Sequence, residues 1–144
     1  MPKASVELAI IEKTQELLVW SLRHIEKFPR AHRHGLGARL EQRLAGLLDR
    51  LIEAKFTRDR LPLLQRCNLE LELLRFDYRT SKDVRCLSVD SYGSASRFVN
   101  EIGQQLGQWI KSMVGGTDEA TRQSVGQTGE LSQSSDSGAA RRPR

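Results

Sequence analysis

At 144 residues, 38% of them hydrophobic, the chain can fill one packed core but not two, and its formal net charge of +5 favours an anionic partner, either nucleic acid or an acidic protein surface. Leu, Arg, Glu, Gln and Ala dominate while aromatics make up only 6%, a composition of helices rather than strands, so an all-α fold is expected. No run approaches the roughly 20 apolar residues that span a bilayer, and acids interrupt the apolar opening stretch where a signal peptide needs a clean run; no membrane partner is expected, and a cytoplasmic location is.

Four helical segments follow from apolar residues recurring at three- and four-residue intervals. The first is expected from an N-cap at Ser5 to Lys27, with Ile11, Leu18, Leu22 and Ile25 on its buried face. Phe28-Pro29-Arg30 ends it, because a residue before proline is pushed out of helical geometry. The second helix is expected from Gly35 to Phe56 along the stripe Leu36, Leu40, Leu44, Leu47 and Leu51. A turn at 57–60 offers Asp59 as the cap of the third, with Pro62 tolerated in its first turn and a seam of Leu64, Cys67, Leu71, Leu74 and Tyr78 that frays near Thr80. Ser88 caps the fourth, whose seam is Tyr92, Ala95, Val99, Ile102, Leu106, Trp109 and Met113. These segments predict an antiparallel four-helix bundle over 1–113. The Gly/Ser/Gln-rich stretch 114–144 has almost nothing apolar to bury and is expected to be a disordered tail.

Leu69, Leu73 and Phe76 form a second apolar row on the third helix, nearly opposite the Leu71 seam at about 100° per residue. A helix apolar on two faces is central or part of a subunit interface, so self-association through this row is expected. The charge is equally uneven, since the segment from Arg23 to Arg60 carries a net +5 and the rest of the chain sums to zero. Arg39, Arg43 and Arg50 project from the second helix within an arc of about 40°, and Arg30, Arg33, His32 and His34 stand near its start. They read either as a phosphate-tracking surface or as a solvated charged face. Arg75 and Arg79 are a second basic pair, which could serve a partner or an ion pair between helices.

Catalytic constellations are missing from the pattern. No nucleophile with a paired base, glycine-rich phosphate loop or metal-ligand spacing can be assigned, so no enzyme activity, metal or cofactor is expected. Glu70 and Glu72 point in different directions on their helix and make a poor carboxylate pair. Cys67 reads as a small core residue, Cys86 as an inert thiol near a helix end, and Trp20 and Trp109 as packing residues.

Taken in order, FPRAHRHGLGARLEQ, LELLRFDYR and LSVDSYGSASRFVNEIGQQLGQWIKS resemble the accessory variability determinant (Avd) proteins of diversity-generating retroelements. These belong to a wider group of four-helix proteins that includes those encoded in intervening sequences of bacterial large-subunit ribosomal RNA. The resemblance spans Lys27 to Ser112, and its most specific element is EIGQQLGQWI, where Gly103 and Gly107 are expected to permit close helix approach. It implies a homopentameric barrel, basic on its outside, that binds a reverse transcriptase and template RNA; phosphate contacts by the basic residues would make DNA a further candidate ligand. All polymerase chemistry would belong to the reverse transcriptase, and Arg75 and Arg79 match the family's basic positions. A protein-only adaptor and a ribosomal-RNA intervening-sequence protein are the alternative readings, because a shared bundle does not settle the biology.

Overall fold

The computed structural model describes residues 2–114, with side chains from Val6 onward. The expected tail from Gly115 lies outside the described residues. The first helix, α1, is Pro2–Ile25. The second, α2 (30–55), joins Arg30–His32, a π-helical turn Arg33–Gly37 and Ala38–Lys55 into one rod. The third, α3, is Leu61–Asp83, and the fourth, α4, is Val89–Val114. The compact unit closes at Ile110.

Tyr78 shares a 2.6 Å hydrogen bond with Ser21, and Arg60 reaches Glu7 at 3.4 Å, so the two ends of α1 stand beside the matching ends of α3. His24 of α1 approaches Ser91 of α4 at 3.4 Å, while Lys13 pairs with Glu101 at 3.2 Å. The helices therefore run alternately up and down, as their short connections require. The core is the leucine stripe of α2 (Leu40, Leu44, Leu47, Leu51) against Leu64, Cys67, Leu71, Leu74 and Tyr78 of α3 and Ala95, Val99, Ile102, Leu106 and Trp109 of α4. Each buried Leu contributes about 1.5–3 kcal/mol, which makes that stripe the principal anchor of the bundle.

Several local expectations are corrected. The buried face of α1 is Ile10, Thr14, Leu17, Ser21 and Ile25, one residue out of step with the Ile11, Leu18 and Leu22 row. Thr14 and Ser21 hide this seam from hydrophobicity, since each can be buried only because Thr14 donates to the Ile10 carbonyl at 2.8 Å and Ser21 meets Tyr78. The helix begins at Pro2, upstream of Ser5, and stops at Ile25 rather than Lys27.

Helix α2 starts at Arg30, five residues before the expected Gly35, with Pro29 in extended geometry (φ −54°, ψ 145°) as its N-cap. The π-helical turn absorbs the two glycines that resembled a boundary. Gly37 sits against α1 so closely that a Cβ would lie 2.8 Å from Ile25 Cγ2.

Asp59 does not cap α3; Arg60 occupies that position without a side-chain bond, and its Nε donates instead to the Thr57 carbonyl at 3.0 Å. Nor does α3 fray at Thr80. Ser81 is buried and donates to the Asp77 carbonyl at 2.9 Å, and the helix closes at Asp83. Arg85 and Cys86 then donate back to Lys82 and Ser81 at 2.9 and 2.7 Å, a Schellman closure that puts Arg85 at φ 66°. Ser88 caps α4 as expected, accepting from the Ser91 N–H at 3.0 Å. The close approach expected at Gly103 and Gly107 does not occur within the chain. A Cβ at Gly103 would make ordinary contact with Arg75 and Leu71, and Gly107 has nothing within 4 Å.

Candidate nucleic-acid interface

The arginine stripe of α2 faces two carboxylates that the sequence does not advertise. Asp77 and Glu70, seven residues apart on α3, have side chains only 8% and 7% exposed. Arg43 and Arg50, seven apart on the antiparallel α2, answer them. Arg43 Nε donates to Asp77 Oδ2 at 2.7 Å, and Arg50 Nη2 lies 3.4 Å from Glu70 Oε2. Equal spacing in opposite directions is what matches two antiparallel helices at one register.

Each carboxylate also has a second, more exposed arginine: Arg39 lies 3.3 Å from Asp77 and Arg66 3.5 Å from Glu70. The inner arginines, Arg43 and Arg50, satisfy buried charges, whereas Arg39, 63% exposed, keeps most of its guanidinium in water. Glu72, by contrast with Glu70, is exposed, so the two carboxylates do point apart.

Arg75 occupies the groove between α3 and α4. Its Nη1 donates to Asn100 Oδ1 at 2.6 Å and its Nε to Glu72 Oε2 at 3.2 Å, in a groove that Leu71 and Gly103 also line. Its Nη2 is the atom that lies nearest Gly103, so the guanidinium itself bridges the two helices and leaves one edge exposed. Arg79, one turn on, is exposed and has no carboxylate within ion-pair reach among the described residues.

The antiparallel order brings the α1–α2 corner and the α3–α4 turn to the same end of the bundle. Among the described residues, Arg30 and Arg33 of the expected set share that end with Arg79, Arg23, Lys27, Lys82 and Arg85, against Glu26, Asp83 and Asp90. Arg23, Lys27, Arg30, Arg79 and Arg85 are all exposed and make no ion pair with a described residue. Among the described residues of the compact unit, the other end holds Lys55, Arg58 and Arg60 with an equal number of carboxylates, Glu53, Asp59 and Glu7. Among the described residues, positive charge therefore gathers at one end, a geometry that attracts polyanions. Lys82 and Arg85 do not stand out within their own segment of the sequence. Alternating helix direction, already legible, was the signal that could have joined them to Arg30 and Arg33.

Of the second apolar row, Leu69 is 48% and Phe76 62% accessible, and Leu73 is half-buried. Trp109 is fully buried, but Trp20 is not a core residue: it stacks on His24 at 3.8 Å and lines a groove between α1 and α4. Cys67 lies in the core, where burial pushes its thiol up to about 12, while Cys86 is half-buried in the α3–α4 turn. Among the described residues, no three His, Cys, Asp or Glu side chains gather as a metal site, and no helix is long and apolar enough to cross a membrane.

No curated protein and no solved structure significantly matches the chain. The bAvd-like family does match, over residues 8–113, which takes in all four helices. The sequence motifs, the four-helix architecture and this match agree, and the chain belongs to the bAvd-like family.

Proposed function

We propose that this protein is a non-catalytic accessory subunit of a diversity-generating retroelement, holding template RNA beside the reverse transcriptase during mutagenic cDNA synthesis. Family membership supports the accessory role. The observation that carries the RNA half is the end cluster of exposed arginines without carboxylate partners, Arg30, Arg79 and Arg85 foremost. Such groups neutralise phosphates without reading bases, which suits a structured RNA and extends to duplex DNA.

Arg33 and Arg39 flank the cluster and add phosphate contacts. Arg43 and Arg50 act mainly by fixing α2 against α3. Arg75 presents its free edge to RNA or polymerase from the α3–α4 groove. The protein works as a ring of copies, a homopentamer in the reading the family suggests, so that each weak end cluster is multiplied by its neighbours.

The test is reconstitution of the reverse transcriptase with its template RNA, with and without this protein. Template-primed cDNA should depend on the wild-type chain and fall at least tenfold with Arg30, Arg79 and Arg85 replaced by Ala. Undiminished cDNA with that variant would refute the assignment of the end cluster.

A further inference from the structure

Among the described residues, two apolar surfaces on different sides of the bundle stand open. One is the outward row of α3, Leu69, Leu73 and Phe76. The other is the groove between α1 and α4, about 660 Å³, floored by Val19, Trp20 and Phe98, with the Trp20 and Phe98 rings 6.2 Å apart. Val19 is itself 42% exposed. We infer that the groove is the socket for the α3 row of a second copy of this chain. This rests on the reading above that the protein assembles as a ring.

Level and charge match the row to the groove. Within one chain, Arg60 meets Glu7 and Tyr78 meets Ser21, separations of 53 and 57 residues, so a position on α3 stands level with the α1 position lower in number by that amount. Phe76 is then level with Val19 and Trp20. Arg66 and Asp83 lie within about 60° of the centre of the row, at its lower and upper ends. The groove has the opposite order of sign, Glu12 and Glu16 at its lower end and Arg23 and Lys27 at its upper end. Arg66 is level with Glu12, and Asp83 with Lys27.

Two copies placed side by side, pointing the same way with no axial shift, seat Phe76 in the aromatic groove. The same placement brings both charge pairs together. Joining unlike patches in parallel is a heterologous contact, the kind that forms a ring when its rotation closes. The end clusters of all copies then fall on one face of the ring.

Light scattering on the full chain tests this with Phe76→Glu, which spoils the row, and Val19→Glu, which spoils the groove. Both positions are exposed in the single chain, and circular dichroism checks that helicity is kept. Wild type should be a multimer and each variant alone a monomer. Their equimolar mixture should give a one-to-one dimer and nothing larger, because only one intact socket faces one intact row. A Val19→Glu chain that keeps the wild-type mass, or a mixture that stays monomeric, overturns the socket while leaving the accessory reading standing. A monomeric wild type overturns the ring and the socket together.

Discussion

Replacing Arg43 with Met should show how much of the bundle rests on the paired charges between α2 and α3. The substitution keeps an unbranched apolar stem but removes the guanidinium that donates to Asp77 at 2.7 Å. Asp77, with its side chain 8% exposed, is left to Arg39 at 3.3 Å. Stripping one partner from a fully buried pair costs about 3–5 kcal/mol. Because Arg39 remains, an expected loss near 2 kcal/mol is reasonable, or roughly 8–16 °C in melting temperature for a domain of this size.

Urea unfolding followed by circular dichroism measures it, and a cycle with Asp77→Leu isolates the pairwise part. The double variant should recover most of the loss, since no unpaired charge is then buried. Arg39→Ala, removing a group 63% exposed, should change stability by less than about 0.5 kcal/mol. An Arg43→Met loss as small as that of Arg39→Ala, or a double variant no better than the single, would refute the view that these inner arginines hold the helices in register.

Further outcomes follow from single features. Arg85→Gly should raise stability by about 1 kcal/mol in thermal unfolding, because the φ of 66° strains any side chain but suits glycine; the same change should weaken RNA retention, since the strained residue carries one of the free charges. Alkaline stability should also fall. Burial raises the Cys67 thiol from 9.0 to about 12, so its contribution is whole below pH 9 and is lost as pH climbs towards 12. Tyr78 adds to the same trend above its ordinary 10.0, as burial raises it too. A pH series of melting temperatures with Cys67→Ala should flatten the slope from pH 9 upward, and an unchanged slope would count against it.

Much of the architecture was legible before the fold was seen because α2, α3 and α4 mark their buried faces with Leu, Ile, Val or Ala at helical spacing. The α1 seam is not legible in sequence because Thr14 and Ser21 occupy core positions, and a polar residue satisfied by the local backbone or by Tyr78 carries no hydrophobic signal. Gly35 and Gly37 concealed the true start of α2, since a π-helical turn needs no break in the apolar pattern and its tight approach to Ile25 is a tertiary fact.

The basic residues could be listed from sequence, but their division could not. Whether an arginine is free or committed depends on Asp77 and Glu70, which sit on another helix and look no different in sequence from the solvated Glu72. Likewise Arg85 becomes part of the end cluster only once the bundle brings two separate turns together.

RNA binding across a salt series is the most direct test of the central claim. Wild-type protein should retain template RNA on a filter at ~50 mM salt and lose it steeply by ~200 mM, with a log-log slope of about −0.7 to −0.9 per phosphate neutralised, between the single-strand and duplex limits. Replacing Arg30, Arg79 and Arg85 with Ala should shallow that slope by roughly two to three units per engaged copy, with helicity and mass unchanged. No retention by the wild type at ~50 mM, or a variant slope equal to wild type, would contradict the account.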